Sequence, residues 1–171
     1  ARFLEIVKTF RTKVEGGSLT TDIIVGFPGE TEEDFLETLK AVDEAKFDAA
    51  FTFQYSARPG TKAASFPDQI PQDVVTDRFG RLTEYTNRYA EESNKRLVGK
   101  TMEVLIDGIS KAGDMTFSGR TITNHLVNFT IPEELGIDAG PDYLEGRLCE
   151  VRIERARPYS VDGELVRLKG D

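Results

Sequence analysis

The chain has 171 residues, 39% hydrophobic and 30% charged, enough for one large or two small folded domains. Its net charge of −8 is evenly spread, with 13 basic against 17 acidic residues in 1–96 and 9 against 13 in 97–171. Neither half is a basic domain, which argues against strong non-specific nucleic-acid binding and leaves only a local basic face.

No apolar run approaches the ~20 residues of a membrane span, and no signal peptide is visible. The chain begins at Ala1 rather than Met, as a processed or shortened chain would. The single cysteine, Cys149, excludes an internal disulfide and points to a reducing compartment, the cytoplasm. One thiolate is too few for an iron–sulfur cluster, and one histidine, His125, cannot build a multi-histidine metal site.

In chain order, residues 2–14 read as a helix, with Phe3, Ile6, Val7, Phe10 and Val14 at helical spacing and Gly16-Gly17 ending it. Leu19 to Val25 reads as a strand whose β-branched run Ile23-Ile24-Val25 suits burial on both faces. Gly26-Phe27-Pro28-Gly29 is a tight turn. Thr31 is a good N-cap, and Glu32, Glu33 and Asp34 put negative charge on the positive end of a helix running to about Lys46. The turn matches neither the ATP-binding nor the dinucleotide-binding glycine pattern. Two readings stand: a well-capped strand-to-helix turn, or a ligand-binding turn at the carboxyl end of a strand.

Ala49 to Ser56 is a second strand. Phe51, Phe53 and Tyr55 share one face; Thr52, Gln54 and Ser56 share the other. With the aromatic face packed under the helices, the polar face would point into a barrel lumen. Phe66 to Gln72 is irregular, and 73–97 is a long helix with an apolar stripe of Val75, Phe79, Leu82, Tyr85 and Tyr89 and with Arg78 and Arg81 largely off it. Helix and strand alternate as in a parallel sheet, with too few strands to close a barrel and with open edges.

Near Leu97 the period changes from 3.6 to 2, which places a domain boundary between 97 and 98. Residues 101–109, 115–121, 126–130, 148–156 and 159–168 read as five strands of a small closed or nearly closed barrel, with an acidic insertion at 131–146. Arg155 and Arg157 fall on one face of the fourth strand and Arg152 on the other.

No nucleophile–base pair is evident, and Cys149 reads as a buried small hydrophobe. Arg58, in the loop Arg58-Pro59-Gly60-Thr61, could hold a phosphate or pair with a carboxylate. In the stretch 118–129, Arg120 can meet a phosphate or a base, and Asn124, His125 and Asn128 can read base edges or sugar hydroxyls. The same side chains could equally satisfy the backbone of a surface turn.

TTDIIVGFPGETEEDF at 20–35, followed by FTFQYSARPGT at 51–61, closely resembles the radical S-adenosylmethionine methylthiotransferases. The match is to the branch that makes 2-methylthio-N6-isopentenyladenosine beside the tRNA anticodon. SGRTITNHLVNF at 118–129 looks like the core of that family's TRAM domain, a small RNA-binding barrel. The resemblance covers nearly the whole chain but only the family's carboxyl-terminal half.

It implies an α/β fold in which 1–97 is the end of a TIM-like partial barrel, two parallel strands with helices, followed by a TRAM-like β-barrel at 98–171. It implies S-adenosylmethionine and two [4Fe–4S] clusters in the intact enzyme; the CxxxCxxC motif that holds one of them is absent here. Val25, Gly26, Phe27, Pro28 and Glu30, with Gln54, Tyr55 and Ser56, would form one wall of the S-adenosylmethionine site. Arg58, Arg120, Asn124, His125 and Asn128 would meet the tRNA anticodon stem-loop. The expectation is a fragment inactive without the amino-terminal part of the same protein. The alternatives are the branch that modifies a ribosomal protein and a standalone RNA-binding or adaptor module, whose sheet edges would be covered.

Overall fold

The computed structural model describes residues 2–111, 116–137 and 141–170. They form two compact units that divide between Ala90 and Glu91.

The first unit holds α1 (Arg2–Lys13), β1 (Thr20–Val25), α2 (Glu32–Ala45), β2 (Ala49–Gln54) and α3 (Gln72–Lys95), the last of which runs on past Ala90. A short 3-10 turn at Lys62–Ser65 lies inside the stretch between β2 and α3. The α2 start is a full capping box: the Thr31 hydroxyl accepts the Asp34 N–H, and the Asp34 carboxylate accepts the Thr31 N–H. Lys46 ends the helix in the left-handed conformation.

β1 and β2 pair in parallel, with Ile23 opposite Thr52, Ile24 opposite Phe53 and Val25 opposite Gln54. Paired residues on neighbouring strands point to the same side of a sheet. Ile23 and Val25 pack into the helical core with Val7, Phe35, Leu39, Val42, Val75 and Leu82. That side therefore also receives Thr52 and Gln54, and Ile24, Phe51 and Phe53 fall on the other. They are left 54%, 61% and 50% exposed, so the burial on both faces expected of Ile23-Ile24-Val25 is not met at Ile24. The placement of Phe51 and Phe53 reverses the sequence expectation that the aromatic face lies under the helices. The burial demand of β1 and the parallel register together decide the orientation, and the β2 alternation alone could not.

The second unit is a closed barrel of β3 (Thr101–Ile109), β4 (Phe117–Thr121), β5 (Leu126–Thr130), β6 (Leu148–Ala156) and β7 (Val161–Leu168), ordered β3-β4-β5-β7-β6. All its pairings are antiparallel except β5 with β7. Closure removes the edges that a short open sheet would expose. Val104, Ile106, Phe117, Val127, Phe129, Cys149, Val151, Ile153, Val161 and Leu165 alternate inward to form its core. α4 (Pro141–Leu144) packs against β3, and Leu144 joins the core. The expected strand 115–121 begins at Phe117; Met115 lies outside the described residues, as do 138–140 of the acidic insertion. Cys149 is fully buried, and burial pushes its thiol pKa up to about 12.

A bulge in β6 between Ile153 and Arg155 breaks the strict alternation. Arg152 faces Glu164 and Arg155 faces Asp162, so both arginines point outward on one surface. The expected split of Arg152 from Arg155 does not occur.

Closure depends on close backbone approach at Gly119. A Cβ there would stand 2.3 Å from the Leu105 carbonyl oxygen and 2.5 Å from Val104 Cγ1. Backbone cannot yield as a flexible side-chain tip can. Gly119→Ala is expected to cost at least about 2 kcal/mol of barrel stability in urea unfolding; an unchanged midpoint would contradict this packing.

Candidate functional site

The carboxyl ends of β1 and β2 carry the first group of candidate residues. Gly26 takes φ +76°, and a Cβ on it would lie 2.5 Å from Val75 Cγ2. Its N–H donates to Glu30 Oε2 at 2.9 Å. The same carboxylate oxygen accepts Arg78 Nη1 at 2.8 Å, and Arg78 Nη1 also donates to the Glu30 carbonyl at 3.0 Å. Arg78 is only 5% exposed. Its Nε reaches Glu32 Oε2 at 3.2 Å, and Arg81 Nη1 donates to Glu32 Oε1 at 2.7 Å. Both guanidinium groups lie over the Phe35 ring. The Arg81 hydrogen bond leads the interactions that hold the Glu32 carboxyl below its ordinary pKa.

This network was not evident from the sequence, which left Arg78 off the α3 stripe. The signal was present: 78 stands three residues after Val75 and four before Leu82, both buried. Charge alone suggested exposure.

The turn thus divides the expected wall in two. Val25 and Pro28 are buried, Glu30 is held by Arg78, and Gln54 Oε1 accepts Gln72 Nε2 at 3.0 Å. These side chains form the frame. Phe27 and Ser56 are exposed. Phe27 meets Tyr55 edge to face at 5.3 Å between centroids, and Phe66 at 6.3 Å. The Tyr55 hydroxyl is buried with no hydrogen-bond partner among the described residues. An orphaned buried hydroxyl costs free energy unless a ligand or water satisfies it. In the loop that follows, the Arg58 carbonyl accepts the Thr61 hydroxyl at 2.8 Å, while the exposed Arg58 guanidinium has no partner among the described residues.

In the barrel, β4 and β5 meet at a turn made stiff by its own bonds. The Thr121 N–H donates to the His125 carbonyl, the Asn124 N–H to the Thr121 carbonyl, and the His125 N–H to Thr121 Oγ1. Thr123 Oγ1 and His125 Nδ1 lie 2.9 Å apart. Asn124 takes φ +65°, a conformation asparagine tolerates. Asn128 Oδ1 accepts the Ser110 hydroxyl at 2.8 Å. His125 is therefore committed in part to the turn itself, and Asn128 to the Ser110 side chain. Arg120 is exposed, 3.7 Å from Asp107 Oδ2 and 3.3 Å from the Asn124 carbonyl.

Four other arginines on or beside β6 and β7 are ion-paired, while Arg147 donates to the Gly170 carbonyl and lies over the Tyr143 ring. Arg155 and Arg157 share Asp162, Arg152 binds Glu164 and Glu154, and Arg167 binds Glu150, which also receives Lys169. Burial opposes ionisation of Asp162, yet hydrogen bonds from Arg157 and Arg155 hold its carboxyl below the usual aspartate range. The cluster near β6 is an ion-paired face rather than a free basic patch.

Comparison with known proteins sets these features in a family. The TRAM domain family matches residues 95–166. A tRNA-2-methylthio-N(6)-dimethylallyladenosine synthase of Clavibacter sepedonicus is 45% identical over 98% of this chain and 32% of its own length. Relatives of the same name from Acetivibrio thermocellus and Clostridium perfringens are each 45% identical over 96% of this chain, and over 32% and 35% of their own lengths. The chain spans about a third of the length of the curated relatives it matches.

Two outcomes test this geometry. Arg78→Met leaves Glu30 buried without its counter-charge and is expected to cost about 3–5 kcal/mol in urea unfolding. The double change Glu30→Gln/Arg78→Met should recover much of that loss; a single variant as stable as the parent would contradict the network. For Asp162, a lowered folded pKa means that ionisation favours the folded state. The advantage of the parent over Asp162→Asn should be full above about pH 4, shrink as pH falls, and vanish below the folded pKa. A difference in urea midpoint that does not change with pH would refute this.

Proposed function

The chain belongs to the family of tRNA-2-methylthio-N(6)-dimethylallyladenosine synthases, and from that premise we propose that it serves tRNA methylthiolation. In this reading it forms the carboxyl-terminal part of a longer enzyme that adds a methylthio group to C2 of N6-isopentenyladenosine beside the anticodon. The observation that carries the reading is 45% identity sustained over 96–98% of the chain, through both units.

The first unit supplies one wall of an S-adenosylmethionine site. Phe27 offers a ring edge or face, Tyr55 a buried hydroxyl in need of a partner, and Ser56 a free hydroxyl. The Glu30–Arg78 frame holds that wall in place. When bound, S-adenosylmethionine supplies the methyl group and the radical chemistry that functionalising an unactivated ring C–H requires. The residues do not fit an iron–sulfur cluster: the only cysteine is buried in the barrel core and its thiol is hard to ionise. Among the described residues no group of His, Cys, Asp or Glu could hold a metal ion. Any cluster ligands belong to the remainder of the longer protein.

The bare side of the sheet supports this division. A standalone adaptor would cover Ile24, Phe51 and Phe53, and here they are half or more exposed. The remaining strands of the longer enzyme would cover them. No helix is long and apolar enough to cross a membrane among the described residues, and we place the enzyme in the cytoplasm with tRNA. The TRAM barrel is its RNA-contacting unit, and Arg58 adds a phosphate contact from the first unit.

Disrupting the gene that encodes this chain should abolish 2-methylthio-N6-isopentenyladenosine in digests of cellular tRNA, with N6-isopentenyladenosine accumulating, as read by mass spectrometry. Unchanged levels of the methylthiolated nucleoside would overturn the proposal.

A further inference from the structure

We propose that Ile122, at the tip of the β4–β5 turn, is an apolar wedge that lies against an unpaired base of single-stranded RNA. The inference rests on the reading of the barrel as an RNA-contacting unit and names the contact.

Ile122 is 91% exposed, the highest value of any large apolar side chain described. A β-branched apolar residue is an unfavourable choice for a tight turn, where Asn, Asp, Ser and Gly are preferred. The turn does not need it. Thr121, Thr123, Asn124 and His125 make the bonds that hold the turn, and Ile122 is simply held outward. Those bonds stiffen the tip, so little conformational freedom remains to be lost on binding.

The surroundings match a nucleotide. Arg120 lies two residues earlier, exposed on β4, and is held only by a 3.7 Å contact to Asp107 and a 3.3 Å hydrogen bond to the Asn124 carbonyl. Its cross-strand neighbours are Leu105 on one side and Leu126 on the other. Leu105 is exposed and Leu126 half-buried. An apolar tip, an apolar shelf and a loosely held cation within one short stretch suit one base and its phosphate. Apolar side chains that wedge against nucleic-acid bases are of this kind.

Charge narrows the partner further. The chain carries −8 overall, and the arginines of β6 and β7 are bound to carboxylates. Long-range attraction to a phosphate backbone is therefore weak, and affinity must come from contacts such as this one. A paired A-form helix keeps its bases stacked and offers the tip none; a loop offers several.

The test is fluorescence anisotropy with the full chain, a short labelled RNA stem-loop with unpaired adenosines, and a fully paired RNA duplex of the same length. Ile122→Ala should weaken stem-loop binding about fivefold to tenfold. It should leave duplex binding and the salt dependence unchanged, because no cation is lost. Ile122→Phe should restore or exceed parental affinity. Arg120→Gln should instead reduce the salt slope by about one. If the parent binds the stem-loop and Ile122→Ala binds it equally well, the wedge is overturned and RNA binding stands. If the parent binds neither RNA, the RNA-contacting role of the barrel fails, and the wedge falls with it. Ile122 is 91% exposed, and matched thermal melts of parent and variants exclude a folding defect directly.

Discussion

The first unit depends on a single carboxylate. Glu30 Oε2 accepts both the Gly26 N–H and the Arg78 guanidinium, and so ties the turn after β1 to the middle of α3. Taking two charges out of water costs several kcal/mol per ion, and attraction alone offsets this only where hydrogen bonds fill the remaining donors and acceptors. Here they do: the guanidinium also reaches the Glu30 carbonyl and Glu32, and lies over Phe35. The network contributes position more than stability. It fixes where the chain leaves β1, and with it where Phe27 stands against Tyr55. If this turn is the proposed ligand wall, a frame tied down from behind would not have to be ordered when the ligand arrives.

As the proposed RNA-contacting unit, the barrel would face a different problem, contact with a polyanion by a chain of net negative charge. Its charges are segregated. The β6 and β7 face consists of arginines and lysines tied to Glu103, Glu150, Asp162 and Glu164, which hold strands together and present little net field. The β4–β5 end carries fewer charges, but one of them, Arg120, is only loosely held, and the most exposed apolar residue stands beside it. What distinguishes the two is how closely each cation is held by its carboxylate.

Much of this was legible in the sequence because local rules and tertiary structure agree. Ile23-Ile24-Val25, the Thr31 cap and the period-2 runs after residue 100 each specify one element by short-range chemistry, and the elements formed there. Cys149 was legible for the same reason, as an inward position of an alternating strand. Three features were not. The burial of Arg78 required knowing that Glu30 would face it across the fold. The side on which Phe51 and Phe53 lie was set by β1 through register, not by β2. The outward alignment of Arg152 and Arg155 came from a bulge, which a fixed period cannot anticipate. Each depends on a partner distant in sequence. The resemblance to a family supplied what periodicity could not, a reason to assign a strand-to-helix turn and an aromatic strand end to one proposed site.

The most direct measurement is ultraviolet crosslinking of tRNA to the longer enzyme proposed to contain this chain, with crosslinked peptides mapped by mass spectrometry. Crosslinks concentrated in residues 117–130, around Arg120 and the β4–β5 turn, would support the assignment of the RNA-facing side. Crosslinks confined to the ion-paired β6–β7 face, or none within the barrel, would contradict it.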